Sequence, residues 1–259
     1  MIPFKEIQRH YSKAENNFPR MILKEYLQYK ILEIIFSSSF GDKLVFMGGT
    51  SIRIVYGNDR FSEDLDLDNK NLSEKDFLKL IEIIKEELGK EGLDVEFRNT
   101  FQNVYHCYLK FPSLLFDNKL SALRDEKIMI RIDSFKTAQT KRATNRVISK
   151  ADVFSEILTY SKDMLLSQKI HALFNRKRAK GRDIYDVVYL WSMTDPDFRY
   201  LKKEIGISNK KDLLFEMRKL FSDNDLKKLA LDVEPFLIDP KKSIKVSKFK
   251  LWLNSFVEE

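Results

Sequence analysis

The sequence predicts an α/β half followed by a helical half, and three observations carry that expectation. Apolar groups recur at helical spacing in residues 21–36. Three segments between residues 93 and 135 have strand character, and the last alternates with a clean period of two. From Lys162 onward the helical period prevails. With 259 residues, 43% apolar and including 20 Phe and 10 Tyr, the chain can bury one large core or two smaller ones. No repeat and no low-complexity linker interrupts it. The division is placed so that residues 1–155 form the α/β domain and residues 156–259 the helical one.

The elements follow in order. "MILKEYLQYKILEIIF" (21–36) reads as an amphipathic helix opened by Pro19. "KLVFM" (43–47) reads as a strand, Thr50–Tyr56 as a short helix and "DLDLD" (64–68) as a second strand. Ser73, with Glu74 and Asp76 in the first turn, opens a helix running to about Gly89. "LDVEFRN", "VYHCYLKF" and "KIMIRIDSF" are the next strands, giving a mixed sheet flanked by helices. Four further helical segments lie at 163–178, 182–193, 211–221 and 248–259 and make up a C-terminal bundle.

Composition limits the function classes. The first twenty residues alternate charged and apolar groups, unlike the apolar stretch of a signal peptide, and no apolar run nears the roughly 20 residues of a membrane span. A cytoplasmic location without a membrane partner is expected. The single cysteine, Cys107, has no internal disulfide partner and reads as a core residue. Net charge is +7, and three stretches are basic without any acid: five basic residues in 136–150, six in 169–182 and five in 241–250. A polyanion, most naturally nucleic acid, suits such stripes.

The chemistry concentrates in "FMGGTSIRIVYGNDRFSEDLDLDNK", residues 46–70. Gly48 and Gly49 end a strand without side chains, and Thr50 opens a helix whose free N–H groups favour an anion, which makes a phosphate seat. Asp64 and Asp66 alternate along a strand, so both carboxylates project from one face at about 7 Å spacing. Carboxylates that close repel unless a cation joins them, and hard oxygen ligands suit Mg²⁺. In "KIMIRIDSF", Met129, Arg131 and Asp133 share one face, opposite Ile128, Ile130 and Ile132, so Asp133 is available as a third metal ligand. Each feature also has a plainer reading: a tight turn, and an edge strand with one wet face.

Taken together, these residues resemble the nucleotidyltransferase superfamily, whose pattern is an apolar residue, Gly-Gly or Gly-Ser, a small hydroxyl residue, an interval, then Asp-apolar-Asp. The wording "GGTSIRIVYG…RFSEDLDL" resembles the AbiEii/AbiGii toxin family of bacterial toxin–antitoxin and phage-defence systems. "SQKIHALFNRKRAKGRDIYDVVYL" is similar to that family's later signature, a Lys on one helix and Arg-Asp-x-x-Asp on the next. The resemblance runs from about residue 46 to 190. It implies a nucleotidyltransferase fold in which Gly48, Gly49 and Thr50 hold phosphates, Asp64 and Asp66 bind metal, and Lys169, Arg182, Asp183 and Asp186 form a second cluster. Arg60 and Ser62 belong to the first motif as nucleotide-binding residues. Asp68 extends the acidic row beyond the family pattern and is expected to be a surface acid at the strand end.

Two Mg²⁺ ions, or Mn²⁺, on Asp64, Asp66 and Asp133 would then support transfer of a nucleoside monophosphate from an NTP to an acceptor such as tRNA or another RNA. Lys169 and Arg60 would neutralise the triphosphate. A separately encoded antitoxin is the implied protein partner. The alternatives are a silent nucleic-acid or partner-binding module, and a different metal-dependent phosphate-transfer or nuclease chemistry. Read from the residues alone, Lys169, Arg176, Asp183 and Asp186 also fit a salt-bridge network between helices, with Arg182 reaching Asp186 at i,i+4. His171 reads as packing.

Overall fold

A computed structural model describes residues 1–101, 104–136 and 143–256. Lys141 and Arg142 of the first basic stretch, and residues 257–259 of the closing helical segment, lie outside the described residues. The chain divides into two compact units: Met1–Val55 with Phe61–Tyr160, and Tyr56–Arg60 with Ser161–Glu259. The short segment 56–60 thus belongs with residues more than a hundred positions away, which no local pattern marks.

The first unit contains α1 (Phe4–Arg9), α2 (Pro19–Ser37), β1 (Leu44–Met47), α3 (Gly48–Tyr56, its last residue counted with the second unit), β2 (Leu65–Asn69), α4 (Glu74–Lys90), β3 (Glu96–Phe101), β4 (Val104–Phe111), α5 (Leu114–Asp117), β5 (Ile128–Lys136), β6 (Ala143–Lys150) and β7 (Val153–Tyr160). The seven strands form one mixed sheet in the order β3-β4-β5-β2-β1-β7-β6. β2 runs parallel to β5 and antiparallel to β1, while β1 runs parallel to β7. An alternating acidic strand therefore lies in the middle of the sheet rather than at its edge.

Local chemistry accounts for most of these elements. Ser73 accepts from the Asp76 amide at 3.1 Å and starts α4, which buries Phe77, Leu80, Ile81, Ile84 and Leu88 at helical spacing. In β5 the isoleucines 128, 130 and 132 are buried. α2 is buried almost all round instead of along one stripe. It packs on β7, β5 and α4, and three of its buried polar side chains make specific contacts: Glu25 meets Arg53 at 2.7 Å, Gln28 donates to the Ser62 carbonyl at 3.1 Å, and Lys30 meets Glu91 at 2.6 Å. β6 and β7 are strands that the sequence reading does not contain. β6 is largely exposed, and only β7, with Val153, Ser155, Ile157 and Thr159 buried, carries the period-2 signal.

The second unit holds α6 (Lys162–Asn175), α7 (Gly181–Trp191), α8 (Phe198–Ile205), α9 (Lys210–Lys219), α10 (Asp223–Val233), α11 (Ile244–Ser247) and α12 (Phe249–Asn254). α7 packs against α6 and α10. A Cβ on Gly181 would stand 1.8 Å from the Leu229 carbonyl oxygen, so only glycine lets α7 start this close to α10. Among the described residues, no helix is long and apolar enough to cross a membrane.

Candidate active site

β1 passes into α3 at Gly48, whose φ of +76° favours glycine. A Cβ there would fall 2.1 Å from Asp66 Oδ2 and 2.9 Å from Asp66 Cβ. The Asp66 carboxylate thus lies directly against the strand-to-helix turn, and the bare backbone is what admits it. Gly49 and Thr50 are buried in the first turn of α3. Thr50 donates its hydroxyl hydrogen bond to the Asp64 carbonyl, so the side chain expected on phosphate instead ties Asp64 to the helix. Ser51 Oγ lies 2.8 Å from Thr159 Oγ1, which donates to the Phe46 carbonyl at 2.8 Å. The turn is fastened on three sides. Ser62 is buried, with its carbonyl held by Gln28.

The sheet register brings the acids together. Asp66 pairs with Met47 on β1 and Asp133 on β5, and Asp133 pairs with His106 on β4. Register partners project from the same face. Arg131, two residues before Asp133, donates from Nη2 to Asp64 Oδ2 at 2.9 Å and places Nε 3.1 Å from Asp133 Oδ2. His106 Nδ1 stands 2.7 Å from Asp133 Oδ1. Burial disfavours the Arg131 charge, but Asp64, Asp133 and Asp66 outweigh it and hold the guanidinium pKa above its ordinary value.

This geometry bears on two expectations. Asp133 is buried with both oxygens engaged, by Arg131 and His106, and among the described residues no group of three or more His, Cys, Asp or Glu side chains is arranged to hold a metal ion. Asp133 thus has a cation and an imidazole beside it rather than open solvent. Asp64 and Asp66 still fit a divalent cation by donor type, and the cradle at Gly48 leaves room for the Asp66 carboxylate. Asp68 is not a surface acid: it is 5% exposed, accepts from Tyr160 Oη at 2.6 Å, and burial raises its pKa to about 6. A central strand flanked by β1 and β5, with Tyr160 bonded to the carboxylate, keeps most of it from water.

The second unit builds its own cluster. Asp183 and Asp186 face Lys169 from one turn of α7, at 3.0 and 2.9 Å from Nζ. Arg176 reaches Asp183 at 2.5 Å. Arg60, 1% exposed, donates from Nε at 2.6 Å and Nη2 at 2.5 Å to the two oxygens of Asp186, and Asn58 adds a third bond at 2.8 Å. Burial opposes every charge here. The mutual attraction prevails, lowering the Asp186 pKa and raising those of Lys169 and Arg60. Lys169 and Arg60, expected on a triphosphate, are thus neutralised inside the unit and clasp the 58–60 segment to α7. Arg182 does not join them. It lies over the Phe236 ring, 5.7 Å from the centroid, because Asp186 is already filled.

Sequence reasoning passed over Arg131 and His106 as site residues. The alternation of β5 did place Arg131 on the face of Asp133, but β4, which carries His106, and β2, which Asp64 immediately precedes, come to flank β5 only through the sheet order.

The family model for the nucleotidyl transferase AbiEii toxin, of type IV toxin–antitoxin systems, matches residues 30–243. The chain belongs to the AbiEii family. Solved structures agree with its nucleotidyltransferase-like fold. MenT4, the nucleotidyltransferase toxin Rv2826c of Mycobacterium tuberculosis H37Rv, superposes with a TM-score of 0.64 at 17% identity, covering 98% of this chain and 90% of the other. JHP933 from Helicobacter pylori gives 0.56 at 15% identity, over 92% and 94% of the two chains. No curated protein matches the sequence.

Proposed function

We propose that this AbiEii-family chain transfers a nucleoside monophosphate from an NTP to an acceptor hydroxyl, with RNA, tRNA included, as the acceptor class and an antitoxin as its restraint. The observation that carries the reading is the seating of Asp66 against Gly48. It sets a carboxylate of the donor type that suits a divalent cation beside a helix start whose amides suit a phosphate.

In the reaction, the acceptor oxygen forms a bond to the α-phosphorus, the bond from that phosphorus to the bridging oxygen breaks, and pyrophosphate leaves. The acceptor proton passes to solvent. Gly48 and Gly49 allow phosphate oxygens to approach the backbone, and Thr50 fixes the strand entrance that carries Asp64. Asp64 and Asp66 would hold the divalent cation, Mg²⁺ or Mn²⁺, which supplies positive charge for the triphosphate when bound. Lys169 and Arg60 contribute by holding segment 58–60, with Asp183 and Asp186 as their counter-charges.

A silent nucleic-acid-binding module on the same fold is the second reading, favoured by the internal neutralisation of Lys169 and Arg60. One experiment separates the two. The protein is incubated with each labelled NTP, Mg²⁺ and total RNA or protein; label in RNA supports transfer, label only in protein replaces the acceptor, and no label with any NTP favours the silent module.

A further inference from the structure

Arg131 occupies a place that the three-carboxylate reading leaves to metal. Its guanidinium joins Asp64, through a 2.9 Å hydrogen bond, to Asp133, 3.1 Å away. The second contact lacks hydrogen-bond alignment, so Arg131 holds the two acids by charge rather than as a rigid fork. Its side chain is 34% exposed, whereas that of Asp133 is 6% exposed. The remaining oxygen of Asp133 faces His106. Each Asp133 oxygen therefore already has one protein partner, and the positive charge beside it is Arg131.

We propose that Arg131 is a resident cation that replaces a second metal ion: it supplies the positive charge between Asp64 and Asp133, limits the site to one divalent ion on Asp64 and Asp66, and lowers that ion's affinity by sharing Asp64. The proposal rests on the reading of Asp64 and Asp66 as a metal pair. A guanidinium within a few ångströms of a divalent ion repels it, and removing one such charge shifts affinity by roughly tenfold or more.

Mn²⁺ binding to the full chain without nucleotide tests this, with the ion counted by electron paramagnetic resonance and affinity taken from calorimetry, beside melting curves. The parent should bind one Mn²⁺. Arg131→Gln should bind it roughly tenfold more tightly or take up a second ion, and Arg131→Lys, which keeps the charge, should stay at one ion with near-parental affinity. Two ions in the parent, or unchanged count and affinity in folded Arg131→Gln, would overturn the proposal. Should Arg131→Gln fail to fold, Arg131→Met takes its place as the charge-removing variant, and two ions in the parent or a second ion in Arg131→Lys still overturns the proposal. Mn²⁺ binding that survives in Asp66→Ala removes the metal pair itself, a failure distinguishable from that of Arg131 alone.

Discussion

Asp68 shows how one side chain changes meaning with its surroundings. Its folded pKa, about 6, lies above the ordinary 3.8 because burial outweighs the hydrogen bond from Tyr160. Below about pH 4 both folded and unfolded forms are protonated and no stability is lost. Between about 4 and 6 the unfolded chain ionises first, so stability falls as pH rises and stays lower above 6. Asp68→Asn keeps an acceptor for Tyr160 and should raise stability at pH 7.5 by about 2 kcal/mol, with the gap closing towards pH 4.5. Melting temperatures of both proteins across that range check it, and a gap independent of pH would contradict the buried carboxyl. Asp66→Ala differs in kind: transfer should drop below detection in the labelled-NTP assay while the melting temperature holds, because the change removes a charge without opening a core cavity.

At the scale of elements, the β1–α3 turn and the α6–α7 pair behave differently. Gly48→Ala demands a left-handed residue with a Cβ where Asp66 already sits, so we expect a stability cost of about 1–2 kcal/mol and a marked loss of NTP affinity by calorimetry. Undiminished affinity in a folded variant would reduce the turn to a simple connection. Between α6 and α7 the order of effects is the test. Asp186→Ala leaves Arg60 buried without its carboxylate and should cost about 3–5 kcal/mol. Lys169→Ala should cost less, since Arg60 still meets Asp186 and Arg176 still meets Asp183. If Lys169→Ala instead cuts turnover roughly 10²–10³-fold at an unchanged melting point, Lys169 acts on the triphosphate directly.

For the whole molecule, the route of the chain matters most. It leaves the first unit after Val55, contributes residues 56–60 to the second, and returns at Phe61. A fragment ending at Tyr160 would carry Arg60 and Asn58 without Asp186, their partner on α7. We expect that fragment to melt less cooperatively, and at a lower temperature, than the full chain. Circular dichroism melts compare them, and a fragment as stable as the parent would show that the 56–60 segment needs no partner.

Much of the site was legible in the sequence because its signals are local. Gly-Gly at a strand end, a hydroxyl at a helix start and acids at period two are set by backbone stereochemistry, and the capping serine of α4 and the isoleucines of β5 are equally short-range. Helical periodicity made Asp183 and Asp186 legible as a pair on one face of α7, and Lys169 with Arg176 on the preceding segment. Tertiary structure decided what those groups touch. The sheet order placed β2 in the interior, which buried Asp68, and laid β5 beside it with β4 on the far side of β5, which gave Asp133 to Arg131 and His106. Arg60 found Asp186 across 126 positions of sequence. The sequence by itself determined which chemistry is present, since residue type and local period establish donors, acceptors and faces. Only the fold decided which charges remain for a ligand, because pairing and desolvation depend on neighbours that sequence distance does not reveal.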